Sequence, residues 1–476
     1  MLMKTAERMS RVDTAWLRMD TDANLMMIVG VWLLEPALGY DIVCRRVEER
    51  LLKYRRFRQK VTEDAMGASW VVDAGFDIRR HVVRERLPRK RGQTRRAALQ
   101  ERVGELAATP LDPERPLWQF HLVEDYEGGS AVIARIHHCI ADGIALIGVM
   151  MSIVDGGKPP PERAEPADDG ADWLSDAVVK PLTDIATKAL GLYGQGVAKS
   201  VEVLSNPSQL AGSLALARTG MQVLGDVAAL ALMPDDSPTA LKGKPAKGKC
   251  VAWSEPMPLA DVKAIGKSLG CSINDVLLAS VAGAIGGYLR ERGDAVSGKQ
   301  IRAMVPVNLR PPDKVHQLGN RFGLVPLTLP IGVENPIERL YAVRARMTAL
   351  KGSYQPLLAF GVLAIAGLLI KPAQAALLDL FAKKATAVMT NVPGPAAKLE
   401  FCGSTLDQTM FWVPQSGAIG VGVSILSYGG GVQFGLITDR GLCPDPQAII
   451  ERFEPEFEQL LLLTMMLPWG EAALLS

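Results

Sequence analysis

Two adjacent histidines, His137 and His138, are followed by Cys139-Ile140-Ala141 and then by Asp142-Gly143. Imidazole titrates near neutrality, so it can take a proton from a reacting group and return it. The chain has only five histidines, His81, His121, His137, His138 and His316. A bare pair of histidines reads first as structural, with one ring bonded to backbone and Asp142 capping the next helix. The longer pattern HHxxxDG asks for more: a base at the end of an element, a loop, and a glycine that lets the backbone turn tightly beside it.

The elements that must position this pair are legible around it. Trp118 to Tyr126 reads as a strand, Glu127-Gly128-Gly129 as a turn, and Ala131 to His138 as a second strand. A helix is expected from Gly143 to Val154. Strand alternation places Val132, Ala134, Ile136 and His138 on one face and Ile133, Arg135 and His137 on the other, so the two imidazoles point in opposite directions. The face that carries His138 is the apolar one.

The chain has 476 residues, more than one ordinary core accommodates. Two Pro-, Gly- and charge-rich stretches, Asp155 to Asp172 and Pro234 to Lys249, read as linkers around a helical stretch from Trp173 to Met233. The expected layout is an N-terminal α/β unit (1–155), a linker and helical connector (156–249), and a C-terminal α/β unit (250–476). In the last, Ile273 to Arg292 reads as a helix and Ile301 to Leu309 as a strand. Ala418 to Leu426 and Val432 to Thr438 read as a hairpin about the Tyr428-to-Gly431 turn, and Gln447 to Met466 as a helix. The glycine-rich turn lacks the strand-to-helix setting of a phosphate loop.

Composition bounds the classes. Six scattered cysteines form no CxxC pair, so neither a disulfide scaffold nor a zinc site is expected, and a reducing cytoplasm fits. Met1 to Met19 carries charges throughout, unlike a signal peptide. The net charge of +2 offers nothing for nucleic acid, although basic residues cluster from Lys53 to Lys60 and from Arg79 to Arg96. Those clusters read either as a solvated face or as a surface for phosphate or anionic lipid. Mean hydropathy is +0.13, which suggests extra buried apolar surface, a greasy tunnel or membrane contact. Leu357 to Ile370 is apolar but shorter than the roughly 20 residues of a spanning helix, and reads as buried or interfacial.

HHxxxDG resembles the signature of the chloramphenicol-acetyltransferase-like acyltransferases, which include condensation domains. Further segments resemble bacterial wax ester synthase/acyl-CoA:diacylglycerol acyltransferases in order along nearly the whole chain. They are the opening Ser10-Arg11-Val12-Asp13-Thr14-Ala15-Trp16-Leu17, Pro116-Leu117-Trp118 (PLW), Asn274-Asp275 (ND), Val305 to Arg310, Gly319 to Gly323, and Asn391 to Pro395. Leu25-Met26-Met27-Ile28-Val29-Gly30 departs from that family's PMH-type triplet, a difference that bears on acceptor preference or subfamily more than on the basic reaction.

The resemblance implies an α/β (α+β) fold of two chloramphenicol-acetyltransferase-like half-domains, each a mixed β-sheet flanked by helices. It implies transfer of a long-chain acyl group from acyl-CoA, a substrate rather than a cofactor, to a fatty alcohol or diacylglycerol. His138, the second histidine, would be the general base and His137 a supporting residue. Asp142 would orient His138 or, as the superfamily pattern favours, be structural and paired with an arginine, for which Arg310 and Arg302 are the candidates, and Gly143 would shape the turn. Asn274, Asp275, Pro116, Leu117 and Trp118 are candidate substrate-binding residues. Asn274 would hold a substrate oxygen or simply cap its helix, and Trp118 also reads as core. No metal is expected. Cys139 faces away from His138 if the strand continues, which argues against an acyl-carrying role. The alternatives are another alcohol or amine acceptor, or a silent lipid-droplet or membrane-binding protein. The expected location is cytoplasmic, peripheral to a membrane or lipid inclusion.

Overall fold

The computed structural model describes residues 6–64, 67–88, 90–158, 233–310, 318–351, 355–356, 358–360 and 371–466. The expected connector from Trp173, most of the Leu357 to Ile370 segment, and His316 lie outside these residues.

The first part of the chain forms β1 (Glu7–Arg8), α1 (Arg11–Arg18), β2 (Met27–Glu35), α2 (Tyr40–Arg50), β3 (Gln59–Asp64), β4 (Gly67–Val72), β5 (Val82–Glu85), α3 (Arg95–Ala107), β6 (Trp118–Tyr126), β7 (Gly129–His137) and α4 (Gly143–Ile153). The second part begins with β8 (Lys249–Trp253), β9 (Met257–Pro258), α5 (Leu259–Ser268), α6 (Ile273–Glu291), β10 (Ile301–Asn308), β11 (Phe322–Leu329) and α7 (Pro336–Lys351). It continues with α8 (Lys371–Ala382), β12 (Ala387–Pro393), β13 (Glu400–Phe401), β14 (Ser404–Trp412), β15 (Val421–Tyr428), β16 (Gly431–Asp439) and α9 (Pro446–Met465).

Local chemistry sets the ends of these elements. Ser10 accepts from the Asp13 amide at the start of α1, and Thr94 accepts from the Ala97 amide at α3. The two hairpins turn through residues in the left-handed region. Glu127 and Gly128 have φ of 51° and 87°, and Gly429 and Gly430 have φ of 58° and 82°, which matches the twist of the flanking strands.

Two mixed sheets organise the molecule. One has the order β13-β14-β2-β7-β6-β5, with β5 and β6 parallel and the rest antiparallel. The other runs β11-β10-β12-β15-β16-β8, with β9 also on β16 and with β10, β12 and β15 parallel. A small sheet, β1-β4-β3, flanks the first. The fold is thus mixed α/β in two halves, with helices against the sheets. The sheets do not divide where the chain does. β14, from the second part, pairs with β2 along its length, from Thr405 opposite Glu35 to Trp412 opposite Val29. Residues 1–155 and 250–476 therefore share one sheet.

One core lies wholly in the second half, whereas the core of the first also takes Phe322, Val392 and Tyr428 from the second. α6 is buried from Asp275 through Gly286 against β10, β12, β15, β16 and α9. In the first half, Trp118 is fully buried and stacks on His81, with Phe57, Phe76 and Phe120 around it. The basic clusters are partly neutralised: Arg56 pairs with Glu7, Arg84 with Glu124, Lys90 with Glu101 and Arg95 with Asp125. Among the described residues, no single helix is long and apolar enough to cross a membrane.

Candidate active site

β7 is an interior strand, held by β2 on one side and β6 on the other. Just past its end the backbone of His138 is pinned at both polar groups. Its N–H donates to the Met26 carbonyl at 2.7 Å, and its carbonyl accepts from Asn320 Nδ2 at 2.7 Å. The ring stacks on Trp16, with centroids 4.2 Å apart and planes 16° from parallel, and Phe322 lies 5.5 Å away. His138 Nδ1 is enclosed without a hydrogen-bond partner. The residue lines a cavity, so Nε2 is the nitrogen left to meet a ligand. Burial lowers the pKa of His138 to about 4, with Asp142 opposing, so the ring is neutral and able to accept a proton near neutrality.

His137 turns the other way. Its Nε2 lies 3.3 Å from both oxygens of Asp20, and its Nδ1 accepts from the Cys139 amide at 3.1 Å. Burial lowers its proton affinity, but Cys139 and Asp20 raise it, and the net direction is upward. In the neutral ring the acceptor role of Nδ1 leaves the proton on Nε2, donated to Asp20. Asp20 Oδ1 also accepts from the Met26 amide at 2.6 Å, which ties this histidine to the same stretch that holds His138. Cys139 is fully buried and does not line the His138 cavity.

Asp142 points away from both rings. Its Oδ1 accepts from the Ala145 amide and so caps α4. Its two oxygens also take a bidentate pair from Arg310, at 3.1 and 2.8 Å, and Oδ2 accepts from the Arg321 amide. Arg310 in turn donates to the Gly319 carbonyl. Arg302, the other expected partner, sits elsewhere: it donates to the carbonyls of Pro234 and Lys384 and lies 3.9 Å from Asp236. The reason is register. Arg302 is near the start of β10, whereas Arg310 lies just past its far end, where the two halves meet.

The segment Gly319-Asn320-Arg321 clamps the motif. Gly319, with φ of +102°, accepts from the Asp142 amide and forms a parallel bridge with Ala141. Asn320 is held by Asp13, whose Oδ1 accepts from both its amide and its Nδ2. Burial pushes the Asp13 carboxyl upward while the Asn320 hydrogen bonds pull it down. Trp16, Asp13, Asp20 and Asn320 received no role from sequence. Asp13 and Trp16 lie in the opening block and Asn320 in the Gly319-to-Gly323 block that carry the resemblance, which is the signal that could have found them, whereas Asp20 lies in no such block.

Several expected binding residues are not among those that line the His138 cavity. Pro116, Leu117 and Trp118 line none of the cavities described here. Leu117 accepts from the His137 amide and Trp118 Nε1 donates to the Phe57 carbonyl, so PLW braces the end of β7 from the core. Asp275 completes a capping box with Ser272, the residue that caps α6, so Asn274 is not the cap. Asn274 accepts from Asn391 Nδ2 at 2.8 Å, and it is Asn391 that lines the cavity, with Asn308, Thr390 and Ser416 as further polar groups. Gly143 is not demanded by the turn: its φ lies outside the left-handed region and a Cβ there would meet nothing within 4 Å.

The cavity therefore sits between the halves, with Trp16, His138 and Asp142 to Ile144 on one side and Pro306, Phe322 and Thr390 to Val392 on the other. The same arrangement of halves occurs in solved structures. The wax ester synthase/diacylglycerol acyltransferase of Marinobacter aquaeolei VT8 superposes with a TM-score of 0.65 at 20% identity, covering 97% of this chain and 100% of that one. The first condensation domain of the calcium-dependent antibiotic synthetase follows at 0.60 and 13% identity, covering 97% and 96%. At these identities the likeness is one of fold. In sequence, the chain is 26% identical over 458 residues to a probable diacylglycerol O-acyltransferase, tgs1, of Mycobacterium tuberculosis, covering 94% of this chain and 93% of that protein. It is 27% identical to a second, tgs2, over 479 residues, covering 94% and 97%. Residues 9–277 match the wax ester synthase/diacylglycerol acyltransferase catalytic domain, and residues 318–461 match the WS/DGAT C-terminal domain. With the catalytic match alone spanning more than half its length, this chain belongs to the wax ester synthase/diacylglycerol acyltransferase family of acyl-CoA-dependent O-acyltransferases.

Proposed function

We propose that His138 is the general base that transfers an acyl group from acyl-CoA to the hydroxyl of a diacylglycerol or a fatty alcohol. The observation that carries this reading is the state of the ring: neutral, enclosed at Nδ1, and lining a cavity between the two halves. An alcohol is a poor nucleophile near neutrality. As its oxygen attacks the thioester carbonyl, Nε2 takes the hydroxyl proton and the carbonyl oxygen gains charge. Collapse breaks the C–S bond, and the CoA thiolate takes the proton back from His138. The developing oxyanion needs a positioned donor. Asn308, Thr390, Asn391 and Ser416 are the polar residues at hand. The apolar walls favour two long-chain substrates held together away from water, which supports the diacylglycerol or fatty alcohol over a small polar acceptor.

His138→Ala tests it. CoA release should fall about 10²–10⁴-fold, the usual contribution of such a base, with an unchanged circular dichroism spectrum. His137→Ala should lose less, because that ring bonds Asp20 away from the cavity. Turnover by His138→Ala near the wild-type rate would sink the reading.

The same reading carries a location. Substrates and products this apolar reside in membranes and lipid droplets, and peripheral attachment there follows as a proposal. Leu462, Met465 and Met466 stand exposed at the end of α9. Lys53, Arg55 and Arg58 are exposed and form no ion pair among the described residues. Both features suit an anionic lipid surface.

A further inference from the structure

Gly143 opens α4 and, among the described residues, is the one that lines both the His138 cavity and a second cavity. That second cavity is almost wholly apolar, walled by Ile28, Ala134 and Ile136 of the first sheet, Leu146 and Ile147 of α4, and Tyr428 of β15. Nothing local requires a glycine at this point. Its φ is one any residue adopts, and a Cβ would meet nothing within 4 Å. What the missing side chain leaves is space, and that space lies where the two cavities adjoin.

We infer that Gly143 is a size gate: its bare backbone keeps open the passage through which a long unbranched alkyl chain of one substrate runs from the reacting carbon beside His138 into the apolar cavity. The inference rests on the reading of His138 as the site of transfer. The chain has two possible sources, the acyl group of the donor or the alkyl chain of the acceptor, and their shared chemistry is what the cavity recognises. Each buried methylene should favour binding by about fourfold, so a plugged passage penalises long chains steeply and short ones little.

The series Gly143→Ala, Gly143→Val and Gly143→Leu tests this on the full chain. One arm varies the donor from butanoyl- to hexadecanoyl-CoA with one acceptor. The other varies the acceptor from butanol to hexadecanol with one donor. Gly148→Leu is the control, because Gly148 lies on the same helix, also has nothing within 4 Å of its Cβ, and lines none of the cavities described here. The expected result is a ratio of kcat/KM for long over short chains that falls stepwise with side-chain size in one arm only, by about tenfold or more at leucine given that per-methylene factor. Gly148→Leu should leave the ratio unchanged. The arm that responds identifies which substrate occupies the apolar cavity. A ratio that holds constant in both arms, or a loss equal at every chain length, overturns the gate while leaving His138 as base. Transfer by His138→Ala at the wild-type rate would overturn the site and this inference together.

Discussion

The indole of Trp16 lies flat against the imidazole of His138, 4.2 Å between centroids, although the two residues are more than a hundred positions apart in the chain. The stack, with Phe322 beside it, helps cover the ring, and burial is what lowers its pKa. The stack also fixes the plane of the ring, which a lone hydrogen bond to Nδ1 does in other settings and does not do here.

Trp16 should therefore set the pH dependence of catalysis. Trp16→Leu removes the stack and admits water, so the acid limb of kcat/KM should move upward from near 4 toward the ordinary 6.5 of histidine. Trp16→Phe keeps a flat ring and should restore most of the wild-type profile. Stability should fall too, because deleting a buried Trp side chain outright typically costs about 3–5 kcal/mol. Acid limbs that coincide in all three proteins would show that the depression has another cause.

Buried neutral histidines also predict how the fold responds to acid. Burial holds both His138 and His121 near 4, below the 6.5 of the free ring, and Arg135 adds to the effect at His121. Between those values the unfolded chain binds protons that the native state refuses, so folding stability is full above about 6.5 and declines as pH falls toward 4. Melting temperature measured from pH 7.5 to 4.5 should drop across that window. His121→Gln, far from the cavity, should flatten the slope. An identical slope in that variant would assign the acid loss to other groups.

The pair Asp142–Arg310 should matter for the fold before it matters for rate. It joins the helix that follows the motif to the end of β10, and the Arg310 side chain is completely buried. Asparagine caps a helix as well as aspartate, so Asp142→Asn isolates the ion pair from the cap. Breaking a buried pair on one side costs about 3–5 kcal/mol, and chemical denaturation should register a loss of that order along with activity. Arg310→Gln should lose a similar amount, and the double variant less than the sum of the two. A fully stable Asp142→Asn protein with only a kinetic defect would mean that Asp142 orients the base instead.

These relationships separate what local sequence reveals from what only folding brings together. The hairpin of β6 and β7 is legible because the turn residues Glu127-Gly128-Gly129 sit between two β-rich runs, and the strand's alternation sends His137 and His138 to opposite sides. The helix after Gly143 is legible from Asp142 as its cap. The stack of Trp16 on His138, the grip of Asn320 on the His138 carbonyl and the bond from His137 to Asp20 join residues whose spacing carries no period, so no pattern announces them. The insertion of β14 beside β2 is invisible for the same reason: strand pairing across hundreds of residues leaves no mark on either strand. PLW illustrates the converse, a recognisable triplet whose work is to brace the strand end from the core.

Attachment to lipid gives the last prediction. Apolar exposure at Leu462, Met465 and Met466 and exposed cations at Lys53, Arg55 and Arg58 act through different forces, so they can be told apart. Each cation near an anionic surface contributes about 1 kcal/mol, an attraction that salt screens, whereas burial of leucine and methionine in the interface is insensitive to salt. Flotation with liposomes containing phosphatidylserine should therefore recover the protein at low salt and less of it at high salt. Arg55→Glu with Arg58→Glu should remove most of the salt-sensitive fraction. Leu462→Ser with Met465→Ser and Met466→Ser should lower the fraction that persists in high salt. No flotation at any salt, from protein fully active on dispersed substrate, would mean that the apolar surplus of this chain serves its cores and the cavities beside His138 and nothing outside them.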